Sequence, residues 1–219
     1  MGLLLGDERA AVAEYGRKLI ERGLTRGTGG NVSIFNRKKQ LFAVSPSGMD
    51  YFEIRPEDVV VMSVDGKITD GARRPSSEAD MHRLIYMERD DVNAVVHTHS
   101  VFASALSCTV EGQRNGLPPV HCLAALAGGD VRCVPYRPFG TMELALAARD
   151  GIRGRRAVLL GNHGLLTVGN GMEQAFAVAE EIEFVCELYA RAVAMGTPAL
   201  LSAADMEDAI ERFKGYGQR

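Results

Sequence analysis

The chain has 219 residues, a net charge of −3, and a composition that is 46% hydrophobic and 24% charged. That is enough chain for one domain with a sizeable core, and no basic run stands out that would suit nucleic acid. No apolar run reaches the roughly 18 residues needed to cross a bilayer, and Met1–Leu5 is too short for the apolar stretch of a secretory signal.

Asp7 is positioned to cap a helix running to about Arg22, with Val12, Tyr15, Leu19 and Ile20 on one face and Gly23 as its stop. "GTGGN" (27–31) is a Gly-rich loop leading into a strand, "VSIF". Arg37-Lys38-Lys39 reads as a hairpin turn before a second strand, "LFAVS", and "SPSG" is a turn. "DVVVMSVDGKIT" reads as a hairpin around Asp65-Gly66. In "RRPSSEADMHRLIYMER", Ser76 or Ser77 would cap a helix with Met81, Leu84, Ile85 and Met87 as its apolar positions. "NAVVHTH" is strand-like, "SVFASALS" a short helix, "DVRCVPY" a strand and "TMELALAARDG" a helix. "AVLLGNHGLLTVG" gives two strands joined at Gly161–Gly164, residues 172–196 form the longest helix, and "SAADMEDAIERFKGYG" closes the chain. There is no repeat, low-complexity segment or linker, so residues 1–219 are expected to form a single domain. Several strands are joined as hairpins without regular βαβ alternation, which predicts a layered α/β domain with a largely antiparallel sheet. Cys108, Cys122, Cys133 and Cys186 show no Cys-x-x-Cys spacing and read as reduced, mostly buried thiols of a cytoplasmic protein.

Two of the five histidines, His97 and His99, stand two residues apart at the end of an apolar strand. Side chains at i and i+2 share a face, so two imidazoles can grip one metal. For His-x-His alone, an incidental polar strand end is an equally good reading. His163, between glycines in "GNHG", shifts the balance, since three neutral imidazoles with an open position are a common catalytic zinc arrangement. His82 lies inside a helix and reads as a surface or partly buried residue rather than a ligand, and His121 carries no clear signal. Glu78, at a helix start, ordinarily does no more than complement the helix dipole.

The fragments "TGGNVS", "SPSG", "PSSE", "AVVHTHS", "LLGNHGLL" and "FKGYG" span residues 28 to 217. In this order they resemble class II aldolases of the L-fuculose-1-phosphate aldolase type, in a wider group that includes L-ribulose-5-phosphate 4-epimerase. The resemblance implies a three-layer α/β/α fold with a central mixed, mainly antiparallel sheet. It implies a homotetramer with active sites between subunits and a mobile C-terminal tail from about residue 213. It implies that His97, His99 and His163 bind Zn²⁺, with Glu78 as a further ligand that swings away to act as acid/base. Mn²⁺ or Co²⁺ would accept the same donors. Thr28, Gly29, Asn31, Ser47, Gly48, Ser76 and Ser77 fall on the family's substrate- or phosphate-binding positions.

The implied reaction cleaves a ketose 1-phosphate to dihydroxyacetone phosphate and an aldehyde. Glu at position 78 fits the aldolase, where the epimerases carry Asp and a related decarboxylase Lys. The epimerase and a non-catalytic, metal-stabilised relative remain as alternatives. One position departs from the pattern: Cys122 stands where the fuculose-phosphate enzyme has a Tyr that donates a proton to the aldehyde oxygen. Tyr216 matches a second catalytic Tyr on the tail, and Phe139 and Phe213 match the aromatic wall of the aldehyde subsite. A smaller residue at 122 suits a different aldehyde tail, as in relatives acting on 5-deoxyribulose 1-phosphate or 5-methylthioribulose 1-phosphate.

Overall fold

Residues 2–215 are described by the computed structural model. In chain order they form α1 (Gly6–Glu21), β1 (Asn31–Asn36), β2 (Leu41–Val44), β3 (Val60–Ser63), β4 (Ile68–Asp70), α2 (Ala79–Glu88), β5 (Ala94–Thr98), α3 (Val101–Ser107) and α4 (Val110–Asn115). Then follow β6 (Arg132–Val134), α5 (Met142–Gly151), β7 (Ala157–Leu160), β8 (Gly164–Gly169), α6 (Met172–Met195) and α7 (Ala203–Lys214). Short 3₁₀ turns lie at Pro56–Asp58 and Cys122–Ala127.

The strands make one eight-stranded sheet in the order β4-β3-β2-β1-β5-β8-β7-β6. Every neighbouring pair is antiparallel except β6 with β7. The hairpins fall where their turn residues allow. Gln40 closes the β1–β2 turn at φ 55°, Gly66 closes β3–β4 at φ 83°, and Asn162 stands at φ 52° between β7 and β8.

Alternation along the strands divides the core between two faces. Phe42, Val44, Val60, Met62, Val95, Val158, Leu160 and Leu166 pack with Met81, Ile85 and Tyr86 of α2 and Leu144 and Ala148 of α5. On the opposite face Val32, Ala43, Val61 and Val96 pack with α1 and the start of α6. Ala157, Leu159 and Leu165 extend that face against α3 and the middle of α6. A sheet covered on both sides in this way is the expected three-layer α/β/α arrangement.

Several local expectations change. α1 starts at Gly6 after Leu5 in a left-handed conformation, so Asp7 sits inside the first turn instead of capping it. α2 starts at Ala79 with Glu78 at the N-cap, because Ser76 and Glu78 first close a turn: the Ala79 N–H donates to the Ser76 carbonyl at 3.1 Å. α4 and the second 3₁₀ turn were not expected, since the short apolar spacing of residues 110–127 carries no period. His82 is fully buried, since α2 turns that side onto β1. Of the cysteines only Cys186 is buried; Cys133 is intermediate and Cys108 and Cys122 are exposed, because the segments after α3 and α4 lie at the surface. No helix among the described residues is long and apolar enough to cross a membrane.

Candidate metal centre

His97 occupies the next-to-last position of β5, a central strand, and continues the face of Val95 toward α2. His99 follows just beyond the strand end, and His163 comes from the turn between β7 and β8. Because β8 is the antiparallel neighbour of β5, with Thr98 opposite Leu165, the turn that carries His163 lies beside the end of β5. The three histidines therefore meet. The His97 and His99 Nε2 atoms are 3.0 Å apart, and the His99 and His163 Nε2 atoms 3.1 Å. Glu78 completes the set from the start of α2: Oε2 lies 3.3 Å from His97 Nε2 and Oε1 3.4 Å from His163 Nε2.

This donor set fits a divalent ion. His97 Nδ1–H donates to the Leu165 carbonyl at 3.0 Å, which fixes the tautomer and turns the Nε2 lone pair toward the other rings. Burial, with the charges of His163 and His99, holds His97 well below the ordinary imidazole range; burial and then His163 lower His99 too. Both are thus neutral near pH 7, the state a metal requires. Glu78 Oε1 is buried with no hydrogen-bond partner among the described residues, although a buried carboxylate oxygen left alone is costly. The contacts of 3.0 and 3.1 Å between imidazole nitrogens and of 3.4 Å between His163 and Glu78 Oε1 are close to the edge of a tetrahedron built on bonds of about 2.0–2.1 Å, which is about 3.3 Å.

Two glycines allow this convergence. A Cβ on Gly29 would lie 2.7 Å from His99 Nδ1, and one on Gly30 2.6 Å from the His97 carbonyl. The Gly-rich loop is thus pressed against two of the three histidines.

The cage forms the floor of a cavity of about 490 Å³. Thr28, Gly29, Asn31, Ser47, Gly48, Ser76, Ser77, Glu78, His99, His163 and Phe139 all line it, while His97 is buried beneath. The two serine loops are stitched together: Ser47 N–H donates to the Arg74 carbonyl at 2.9 Å, and Ser76 N–H to the Ser45 carbonyl at 3.0 Å. Ser76 Oγ accepts from the Glu78 N–H at 3.2 Å, so the phosphate-type loop and the carboxylate share one turn. Among the described residues no lysine or arginine lines the cavity, and its wall above the cage consists of hydroxyls, amides, backbone and the rings of Tyr136 and Phe139.

Two further sequence-selected residues are not brought into this cavity by the chain itself. Cys122 is exposed at the start of the second 3₁₀ turn, and Phe213 lies in the last turn of α7, lining a separate groove with Ala125, Leu126 and Ile210. The tail expected from about residue 213 is still helical at Phe213 and Lys214. Tyr216 lies outside the described residues. Sequence reasoning passed over Tyr136 and Asn162, which line the cavity. Asn162 carried a signal, since it is the left-handed residue beside a metal-type His; Tyr136 is placed only by the loop after β6 and carried none.

Asn31 and His82 join the cage from behind. Asn31 Nδ2 donates to Glu78 Oε2 at 2.8 Å, and His82 Nε2 is 2.5 Å from Asn31 Oδ1. Burial depresses the His82 pKa to about 3, so that ring is neutral.

Comparison with known proteins agrees with this architecture. Residues 10–190 match the family model of the class II aldolase and adducin N-terminal domain. The chain is 50% identical over 217 residues to the 5-deoxy-D-ribulose 1-phosphate aldolase of Bacillus thuringiensis serovar kurstaki, covering 99% of this chain and all of that one. It is 38% identical to the 5-methylthioribulose-1-phosphate/5-deoxyribulose-1-phosphate aldolase of Rhodospirillum rubrum, over 95% of this chain and 92% of the relative. A solved L-fuculose 1-phosphate aldolase superposes with a TM-score of 0.91 at 43% identity, over 97% of this chain and 98% of that one. With the matched domain, the shared fold and the three-histidine cage together, the chain belongs to the class II aldolase family.

Proposed function

We propose that this protein is a zinc-dependent aldolase that reversibly cleaves a 5-deoxypentulose 1-phosphate to dihydroxyacetone phosphate and a short aldehyde. The observation that carries the reading is the cage of His97, His99, His163 and Glu78 on the floor of a cavity walled by neutral hydrogen-bond donors. The ion, when bound there, supplies Lewis acidity to the substrate's carbonyl and neighbouring hydroxyl oxygens. The hydroxyls of Ser47, Ser76 and Ser77, with the backbone amides of the Gly29 and Gly48 loops, hold the phosphate without a cationic side chain. Glu78 delivers a proton to the carbon alpha to the carbonyl once the bond to the next carbon breaks, while the proton of the hydroxyl beyond that bond passes to solvent by way of Tyr216, the tail phenol that the family resemblance assigns to the aldehyde end; both transfers reverse in synthesis. A five-carbon 5-deoxyketose then gives dihydroxyacetone phosphate and acetaldehyde.

The aldehyde end lies by exposed Phe139 and Tyr136, an apolar rim that suits a methyl or methylthio tail. The 50% identity to a 5-deoxyribulose 1-phosphate enzyme supports the same choice. A panel of ketose 1-phosphates, with dihydroxyacetone phosphate and aldehyde detected separately, tests the reading. The expected result is highest kcat/KM with 5-deoxyribulose 1-phosphate, followed by its methylthio analogue. Turnover of pentulose 5-phosphates without release of aldehyde would make the protein an epimerase instead.

The proposal includes a homotetramer in the cytoplasm with sites completed between subunits. Phe184, Val193, Met195 and Leu200, in and after α6, are exposed apolar residues of the kind a subunit interface covers. Light scattering at working concentration is expected to give four times the 23.7 kDa chain mass; a monomer that is fully active would overturn the shared-site part. Unpaired cysteines fit a reducing compartment.

A further inference from the structure

Two residues of α2 and its N-cap interlock with two of β1 behind the cage. Glu78, His82 and Tyr86 are spaced four apart and follow one side of the helix, at about 6 Å per step. Asn31 and Ser33 are two apart on one face of β1, at about 6.6 Å per step. The two repeats nearly match, so the side chains alternate like teeth. Ser33 Oγ is 2.6 Å from His82 Nδ1 and 2.6 Å from the Tyr86 hydroxyl, which also lies 3.0 Å from the Ser33 carbonyl. His82 reaches Asn31, and Asn31 reaches Glu78. All five residues are buried.

The direction of these hydrogen bonds is determined from the cage end. A carboxylate only accepts, so Asn31 must present its NH2 to Glu78 and its carbonyl to His82. His82 must then donate from Nε2, leaving Nδ1 to accept from Ser33, whose Oγ in turn accepts from Tyr86. Each donor points toward Glu78. Asn31 also stands opposite His97 in the β1–β5 register, so one residue sits between the strand ligand and the helix carboxylate.

We infer that His82 is a positioning residue: by holding the Asn31 side chain in one of its two amide orientations, it anchors Glu78 through Oε2 and leaves Oε1 as the oxygen for the ion and for the proton. Without the His82 donor, Asn31 is free to rotate its carbonyl toward the carboxylate, exchanging an attraction for a repulsion at 2.8 Å. The Glu78 role itself rests on the reading above.

The test compares His82→Gln with His82→Asn in the metal-loaded full chain. A Gln amide nitrogen can stand where Nε2 stands and keep the donor to Asn31; an Asn amide reaches only the Nδ1 position beside Ser33. Exchange of a carbon-bound hydrogen of dihydroxyacetone phosphate with D2O, run without aldehyde, isolates the Glu78 step. His82→Asn is expected to slow exchange and cleavage kcat by about 10–100-fold with KM within about twofold, and to weaken Co²⁺ affinity, read from its absorption, by about tenfold. His82→Gln is expected to recover most of each loss. Equal behaviour of the two variants, or a change confined to KM, would overturn the inference. Should either fail to fold, Ser33→Ala, which frees the His82 tautomer without touching the cage, is expected to slow exchange several-fold, and an unchanged rate would again overturn it. If wild-type protein exchanges no hydrogen of dihydroxyacetone phosphate, the aldolase reading fails. The Co²⁺ affinities, ranked wild type, Gln, Asn, still decide the role of His82.

Discussion

Removing divalent metal with a strong chelator is expected to abolish cleavage while leaving the fold intact. The reason is electrostatic. Breaking the carbon–carbon bond leaves negative charge on the substrate, and among the described residues no lysine or arginine lines the cavity to receive it. Glu78, the nearest charged side chain to the histidines, has the wrong sign. The apolar clusters on the two faces of the sheet contain none of the four cage residues, so the core persists without the ion. Far- and near-ultraviolet circular dichroism should therefore change little, and added Zn²⁺ should restore activity. His97→Ala should match the chelated protein in activity and be less stable, by about 1–3 kcal/mol, because the buried Leu165 carbonyl loses its donor. Full turnover in protein shown to be free of metal would exclude the centre from the chemistry.

Glu78→Gln is the second large effect. Gln keeps the length and volume of Glu, and its carbonyl can still accept from Asn31, so the pocket should stay assembled. It offers no proton acceptor of useful basicity at the substrate carbon. The kcat is expected to fall by about 10²–10⁴-fold, with KM little changed because the Glu78 backbone N–H that Ser76 Oγ accepts from is kept and the serine hydroxyls are untouched. Steady-state kinetics on the preferred ketose 1-phosphate, with metal content measured alongside, checks this. Near-wild-type kcat would assign the proton to another group, and Tyr136 would be the next residue to examine, since its phenol lines the same cavity.

The residues differ in how far sequence alone could place them, for physical reasons. The pairing of His97 with His99 follows from the period-two geometry of a strand, and the approach of His163 from a turn bounded by glycines in a hairpin. The hairpins themselves were legible because Asp65-Gly66 and the 161–164 turn have few conformational alternatives. His82 was not legible: α2 has apolar residues on a broad arc, and only packing decides which polar side chain is turned against β1. Its partners are distant in sequence, Asn31 and Ser33 being about 50 residues away. Tyr136 depends on an irregular loop, for which no periodicity exists. Cys122 and Phe213 were assigned by resemblance to a site shared between subunits, and a single chain places both outside its own cavity. The cysteines were read as buried from residue type, but exposure is set by the segments after α3 and α4.

The place of β5 in the sheet has a kinetic consequence. This strand is fifth of eight, hydrogen-bonded on both sides, and all five of its residues are buried. Such a strand belongs to the part of a protein whose amides exchange with solvent only on its rarest openings. Glu78, His99 and His163 instead hang from a helix start and two loops at the rim. The cage thus has one donor fixed to the slowest-opening element and three on faster ones. Metal exchange would proceed by the rim donors letting go one after another, with His97 as the last attachment and the first to recapture an incoming ion.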